Sequence, residues 1–560
     1  MKRRIKWIAA PAIVLITAIS GLSFRDDYFE ISKNLDIFTT LFREINLYYV
    51  DEVKPGDLMK TGIDAMLESL DPYTNFIPED DIEDAKFMTT GQYGGIGALI
   101  RTKDDYIVIS EPYEDAPAAK AGIMAGDIIL EVEGKSTKGK STSDVVKFLK
   151  GTPNTPVKIL IQRPGTDKPI EKTITREEIK VKNVPYFGMI DDKIGLIKLT
   201  GFTEDAGREV RDALTKLKEN PSLEGVVLDL RGNPGGLLRE AINIVNVFVD
   251  KGIDIVSTKG KVKEWDKTYK SLNTPVDLNI LVAVLVNRSS ASASEIVSGS
   301  LQDLDRAVVI GQRSFGKGLV QTSRPLTYNT QIKITTSKYY IPSGRCIQAK
   351  DYSHRNEDGS VGTVPDSLIR EFKTRNGRKV YDGGGVNPDV SLPLQEYAPV
   401  TRAIAGENVL FDFATDYRLK NSEIPAAKSF SVNDNIFEEF VKYIGDKEIK
   451  YETESEELLG KLKEAAEKEK YFESVQQEYN ALKDKMLRDK KADIQKAKTE
   501  ISELLADEIV SRYYYQRGRI ENSFAKDEEL KKAVEILKNK SFYDDILAGR
   551  YVEEVKKKGK

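Results

Sequence analysis

Residues 287–321 read NRSSASASEIVSGSLQDLDRAVVIGQRSFGKGLVQ and follow the apolar run ILVAVLV at 280–286. A continuous apolar run of strand length reads as a buried strand. SASEIVSGSLQDL then reads as a helix, AVVIG as a second buried strand, and RSFGKG as a glycine-rich turn. A run of serines therefore lies at a strand-to-helix junction, and Lys317 lies in the turn after the next strand. Working outward, the alternation continues from about 190 to 395. KIGLIKL (193–199) is a strand and EDAGREVRDALTKLKEN (204–220) a helix. GVVLDL (225–230) is a strand ending in Arg231-Gly232-Asn233-Pro234-Gly235-Gly236, and LLREAINIVNVFVD (237–250) is the next helix. Strands alternating with helices predict an α/β core built on a mixed sheet.

The chemistry available to this core is restricted by composition. Serine is a poor nucleophile until a base takes its proton. The chain has one histidine, His354, set in the polar run YSHRNEDG, where it reads as a solvated loop residue. A lysine can act as the base when burial lowers its pKa. Lys317 has the position for this, and Gly316 and Gly318 free the turn to aim its amine inward. The candidate nucleophiles are Ser289, Ser290, Ser292, Ser294, Ser298 and Ser300, and each reads equally as a helix-capping hydroxyl. A helix N-terminus at this point would also offer backbone N–H groups to an oxyanion.

Two other motifs fail. GQRSFGK (311–317) matches the start of a phosphate-binding loop, but Gly318 stands where a Ser or Thr would hold magnesium, and LVQTS reads as a strand. Ser314-Phe315-Gly316-Lys317 matches an S-x-x-K signature without its partner motifs.

Composition bounds the rest. The 560 residues are 40% hydrophobic and 31% charged, with a net charge of −4, which suits soluble domains and offers no basic excess for nucleic acid. One cysteine, Cys346, excludes an intrachain disulfide, and one Cys with one His makes no zinc site. No metal or cofactor is expected. Residues 1–24 carry Lys2, Arg3, Arg4 and Lys6 ahead of an apolar run, the pattern of an export signal; a cleaved signal and an uncleaved anchor both fit. The remainder is then expected outside the cytoplasm, with membrane contact through that segment only. Residues 25–90 read as a helical domain with an apolar stripe Ile31, Leu35, Phe38, Phe42, Ile45, Tyr49 and a second through Met59, Ile63, Met66, Leu70, stopped by Asp71-Pro72. Residues 91–178 hold short strands and two helices, a small partly open barrel. Residues 345–385 read as a polar surface excursion. Residues 399–560 read as charged helices for packing or association, with stripes Val475, Tyr479, Leu482, Met486 and Ile494, Ala497, Ile501, Leu504, Leu505.

Residues 91–178 resemble a PDZ domain through Gly94-Gly95-Ile96-Gly97-Ala98, Pro117-Ala118-Ala119-Lys120-Ala121-Gly122 and Gly126-Asp127-Ile128-Ile129. The resemblance implies a site that adds a peptide C-terminus as a strand and holds its carboxylate on loop N–H groups, here at Gly95, Ile96, Gly97 and Ala98. The opening stretch resembles the carboxy-terminal processing peptidases, or tail-specific proteases. The matching residues are Ser290-Ala291-Ser292-Ala293-Ser294-Glu295, Gln302-Asp303, Arg306-Ala307, Ser314-Phe315-Gly316-Lys317-Gly318 and Gln321, with Ser314 where threonine is frequent. DLRGNPGGLL, YYIPSGRCIQ and GGGVNPDV extend the likeness, which covers roughly residues 1–395. It implies a mixed-sheet core of the crotonase/ClpP type over 179–398 with the PDZ inserted. It implies Ser292 as nucleophile, Lys317 as base, Gln321 orienting the lysine, Asp303 in support, and an oxyanion hole from Ala293 with Gly235 or Gly236. The expected protein is an exported serine endopeptidase of the periplasm, or of the periplasmic face of the inner membrane. It would take protein or peptide substrates with accessible C-termini, with the N- and C-terminal helices serving a homo-oligomer or regulator. The competing reading is a catalytically silent PDZ scaffold.

Overall fold

The computed structural model describes residues 28–445, 449–487 and 490–551. The expected export segment, 1–24, lies outside the described residues. No helix among those described is long and apolar enough to cross a membrane. The described residues form two compact units, one drawn from Met1–Phe76 with Ser323–Ile334 and the other from Ile77–Thr322 with Thr335–Lys560.

In the first unit a helix over 28–48 precedes the helix Pro55–Glu68. Asp71 ends this pair: its carboxylate accepts the N–H groups of Tyr73 and Thr74 and the Thr74 hydroxyl at 2.8–3.0 Å, a turn that removes the chain from helix. The expected stripe stays largely outside in the single chain, with Ile31, Leu35, Phe38 and Tyr49 exposed.

The second unit is built on a six-stranded sheet in the order Tyr186–Met189, Ile194–Lys198, Gly225–Asp229, Leu281–Val286, Val308–Gly311, Val390–Ser391. The first pair is antiparallel and the rest are parallel, the mixed sheet expected from the alternation. Both faces are covered, which is why these strands are apolar throughout. Val226, Leu228, Val282, Val284, Val286 and Val309 pack under the helices Ala206–Leu217, Leu238–Phe248 and Ala293–Asp303. Val227, Ala283, Leu285, Val308 and Ile310 face Leu530, Ala533, Ile536, Leu537, Tyr543 and Ile546. The helices Glu528–Lys538 and Lys540–Leu547 thus supply the second layer from the far end of the chain.

Gln92–Gly95 pairs antiparallel with Glu177–Lys180, so the inserted segment enters and leaves through one ribbon. Beyond it is an open sheet in the order Ala98–Lys103, Tyr106–Pro112, Ile128–Val132, Pro156–Gln162, Ile170–Thr175, with Lys135–Ser136 on the third strand. Ser141 and Asp144 form the expected cap of the helix Thr142–Leu149. A separate core gathers Ile404, Phe413, Phe437, Phe440, Ile501, Leu505 and Ile509. Of the two stripes read beyond residue 400, Ile494, Ala497, Ile501 and Leu505 are buried, while Val475 and Leu482 stay exposed. The helix Val409–Lys420 holds the inserted sheet from behind its edge strand: the Arg101 guanidinium lies 3.9 Å over the Phe411 ring, and Lys103 pairs with Asp412 at 2.6 Å.

The polar stretch 345–385 departs from its reading as mere solvated excursion. It forms two hairpins, Lys350–Arg355 with Val361–Thr363 and Glu371–Lys373 with Lys379–Tyr381, yet Arg345 and Arg378 are buried. They neutralise acids that the core itself buries: Arg345 pairs with Asp303 at 3.0 Å, and Arg378 with Asp305 and Asp389 at 2.7 and 2.6 Å. Sequence polarity alone does not distinguish a solvated charge from a paired one.

Candidate active site

The strand Leu281–Val286 ends and, after one turn, the helix Ala293–Asp303 begins. Ser292 joins them with φ 55° and ψ −112°, a conformation that an L-residue adopts at a cost of about 1–3 kcal/mol. Its surroundings hold it there. Its N–H donates to Glu295 Oε2 at 2.8 Å, and its carbonyl accepts the N–H groups of Glu295 and Ile296 at 2.9 and 3.0 Å.

The structure separates the six candidate serines. Ser290, Ser294, Ser298 and Ser300 are fully buried. Each donates its hydroxyl to a main-chain carbonyl, those of Leu230, Asn233, Ser294 and Ile255 respectively, at 2.9–3.0 Å. Ser289 is exposed on the preceding turn, and Ser292 alone of the S-A-S-A-S run is partly open to solvent.

The lysine turn is tied to the same point. Glu295 is fully buried. Its Oε1 accepts the Ser314 hydroxyl at 2.5 Å and the Gly316 N–H at 2.7 Å, while Oε2 accepts the Lys317 N–H at 2.8 Å alongside that of Ser292. On the carbonyl side, the Tyr339 hydroxyl lies 2.6 Å from Lys317 O and 3.1 Å from Ser292 O. Burial pushes the Glu295 carboxyl up to about 7, against the pull of these four donors. Burial likewise raises the Tyr339 phenol well above its ordinary value, keeping it a neutral donor. Neither clamp residue is assigned a role by sequence, although Glu295 closes the matching Ser290–Glu295 run and Tyr339 opens YYIPSGRCIQ.

Gln321 lies on the strand Leu319–Pro325 and donates from Nε2 to Thr335 Oγ1 at 3.1 Å. Asp303 sits at the far end of the Ser292 helix, where its carboxylate accepts the Ser343 N–H at 2.9 Å and faces Arg345. Burial raises its pKa and Arg345 opposes the rise. His354, read from sequence as a loop residue, lies on the hairpin strand Lys350–Arg355, where it is exposed and contacts Asp351.

The RGNPGG loop packs against the Ser292 turn through Asn233. Its side chain donates to Leu199 O at 2.9 Å and accepts the Gly235 N–H at 2.9 Å, and its own carbonyl accepts from Ala291 N and Ser294 Oγ. Gly235 (φ +98°) is required by contact as well as by conformation, because a Cβ there would lie 2.6 Å from Ala291 O and 2.8 Å from Ala293 N. Gly236 lies beside Phe202, where the Leu237 N–H donates to Phe202 O at 2.8 Å; no hydrogen bond from the Gly236 N–H occurs among the described residues.

In the inserted sheet, Ile96 is buried in the core with Val145 and Leu149, and its carbonyl accepts the Ala118 N–H at 2.8 Å. Gly97 has φ +72°, and its carbonyl accepts the Tyr113 N–H at 2.9 Å. Ala98 and Ile100 lie partly buried on the edge strand that follows, and Thr102 Oγ1 meets Thr142 Oγ1 at 3.1 Å. Gly95 closes the entry ribbon opposite Glu177.

Comparison with known proteins matches residues 193–356 to the peptidase family S41, residues 108–163 to a PDZ domain, and residues 400–537 to the family described as "Probable PDZ-protease, C-terminal helical domain". The carboxy-terminal-processing protease of Bartonella bacilliformis is 36% identical over 369 residues, 65% of this chain and 81% of that protein. The chain belongs to the carboxy-terminal-processing proteases of peptidase family S41. It is therefore a serine-type peptidase with a PDZ domain. A "Probable CtpA-like serine protease" of Staphylococcus aureus is 38% identical over 335 residues, 59% of this chain and 65% of that protein. Among solved structures, the PDZ domain of a carboxy-terminal protease from Vibrio cholerae, in complex with a peptide, is 34% identical, covering 16% of this chain and 99% of that one at a TM-score of 0.16.

Proposed function

We propose that this protease is an exported endopeptidase in which Ser292 and Lys317 form the catalytic dyad and the PDZ domain engages substrate C-terminal tails. The observation that carries the dyad is the shared clamp: Glu295 and Tyr339 each bond the main chains of both residues, while the buried neighbouring serines spend their hydroxyls on carbonyls. Export rests on the basic-then-apolar start of the chain, and an envelope location follows from it.

In this reading neutral Lys317 Nζ takes the Ser292 hydroxyl proton as Oγ bonds to the substrate carbonyl carbon. The carbonyl oxygen becomes an oxyanion held by the Ala293 N–H, at the first turn of the helix, and by the Gly236 N–H. Gly236 is preferred over Gly235, whose N–H is already given to Asn233 Oδ1. The proton passes from Lys317 to the departing amine, the C–N bond breaks, and an ester to Ser292 remains. Water, deprotonated by the same amine, then hydrolyses that ester. Gln321 braces the lysine from the adjoining strand, and Asp303 supports the helix at its far end. A peptide tail adds to the edge strand Ala98–Lys103 beside the helix Thr142–Leu149, its carboxylate held by the loop at Gly95, Ile96 and Gly97.

Incubation with denatured casein tests this. Ser292→Ala and Lys317→Ala are expected to abolish cleavage without unfolding the protein. Amidation of a model substrate's C-terminus is expected to weaken its binding. Full cleavage by Ser292→Ala, with loss in Ser314→Ala instead, overturns the assignment. The scaffold reading would be restored if wild type and Lys317→Ala were equally inert while tails still bound.

A further inference from the structure

Arg231 opens the RGNPGG loop and all five of its guanidinium N–H donors are engaged. Nε and Nη2 grip Asp229 at 3.0 and 2.8 Å, Nη1 and Nη2 grip Asp527 at 2.9 and 2.6 Å, and Nη1 reaches Glu529 Oε2 at 2.6 Å. Asp229 is buried and Arg231 partly so, and the guanidinium beside Asp229 holds that carboxyl well below the usual carboxylate range despite burial. Asp527 also caps the helix Glu528–Lys538, accepting the Leu530 N–H at 3.0 Å, so the grip is anchored in a rigid element.

Glu529 does more than complete this cluster. Its other oxygen, Oε1, accepts from Gln312 Nε2. Gln312 stands just past the strand Val308–Gly311, five residues before Lys317, and Arg231 stands just past the strand Gly225–Asp229, five residues before Gly236. Those two strands flank Leu281–Val286, the strand that leads to Ser292. One carboxylate from the C-terminal helical region thus joins the starts of both outer loops across the strand between them. The side chains of Arg231 and Glu529 are only 17% and 16% exposed, which limits solvent screening of the pair.

We infer that Glu529 is a positioning residue, setting the spacing between the glycine loop and the lysine turn on either side of Ser292. The inference rests on the Ser292–Lys317 reading above. It gives the helices beyond residue 400 a part in the reaction without contact with substrate. Catalysis that depends on alignment is sensitive to shifts of an ångström or less.

The test compares Glu529→Ala, Glu529→Gln, Gln312→Ala and the double variant Glu529→Ala/Gln312→Ala in the full chain. It measures kcat and KM on an unstructured protein, the rate of Ser292 labelling by a fluorophosphonate, and Tm. Glu529→Ala is expected to lower kcat and labelling by ~10- to 10²-fold at unchanged KM. The double variant is expected to be no slower than Glu529→Ala alone, because Glu529→Ala already removes the Gln312 contact together with that to Arg231. Glu529→Gln, which keeps a partner for Gln312 but loses the charge on Arg231, is expected to fall between wild type and Glu529→Ala. Unchanged kcat per folded molecule with only a lower Tm would overturn the inference, as would additive losses in the double variant. Ser292→Ala and Lys317→Ala run in parallel: if they are inactive while Glu529→Ala retains full kcat, this inference alone fails; if they are active, the dyad reading fails.

Discussion

The backbone N–H groups of Ser292 and Lys317 end on the same carboxylate oxygen, Oε2 of Glu295, at 2.8 Å each. Two turns far apart in the chain are thereby fixed to one atom. The Tyr339 hydroxyl repeats the link on the carbonyl side. The backbones of the Ser292 and Lys317 turns are thus tied to each other through a single buried acid and a single buried phenol.

Glu295 carries a pH signature. Its folded-state pKa is raised by burial to about 7 from an ordinary 4.5. A raised carboxyl stabilises the fold fully below its unfolded pKa, and that contribution is lost as pH rises through about 7. The loss is on the order of 3 kcal/mol. Activity is expected to run the other way, because only the carboxylate accepts all four donors. Urea midpoints at pH 5 and 8 should fall across that window in wild type more steeply than in Glu295→Gln. Glu295→Gln should also cleave on the order of 10²-fold more slowly. An identical pH dependence of stability in both proteins would refute this account of Glu295.

Gly235→Ala should abolish cleavage and lower Tm. The added Cβ meets Ala291 O and Ala293 N in a left-handed backbone that alanine disfavours. Gly232→Ala is the control: it shares the positive φ but has nothing within 4 Å of its Cβ, and it should be milder in activity. Equal behaviour of the two would show that close packing at Gly235 is unimportant.

Tyr339→Phe removes the hydroxyl that donates to Lys317 O, while Ser292 O keeps the N–H groups of Glu295 and Ile296. It should lose about 1–3 kcal/mol in stability. A measurable drop in kcat at constant KM is expected if the hydroxyl aligns the two turns. A stability loss with unchanged kcat would assign Tyr339 to packing alone.

Asp303→Asn breaks a buried ion pair with Arg345. Removing one partner of such a pair costs about 3–5 kcal/mol. Cleavage per folded molecule should be retained, because Asp303 lies at the opposite end of the helix from Ser292. Complete inactivity of a well-folded Asp303→Asn would give the residue a more direct part.

Much of this is legible in the sequence where periodicity and turn chemistry are strong. ILVAVLV and AVVIG read as buried strands because both faces of the sheet are covered, and Asp71 ends its helix by the turn its side chain makes. Long-range partnerships leave no such mark. Nothing near Val227 or Leu285 announces that Leu530 and Ile536 cover them, since any amphipathic helix would serve. Arg345 and Arg378 look solvated because the acids they neutralise lie in other segments. The run of serines defeats residue-level reasoning for the opposite reason: all have capping chemistry, and only tertiary packing decides which hydroxyls are spent on carbonyls.

The most direct measurement is the site and pH dependence of acylation. Wild type treated with a fluorophosphonate and digested should carry the label on Ser292, at a rate that rises with pH between about 6 and 9 as the lysine base loses its proton. Ser292→Ala should be unlabelled, and Lys317→Ala should label far more slowly, keeping only the rise through about 7 that ionisation of Glu295 supplies. Label on a different serine, or a Lys317→Ala protein that reacts as fast as wild type across the range, would contradict the dyad.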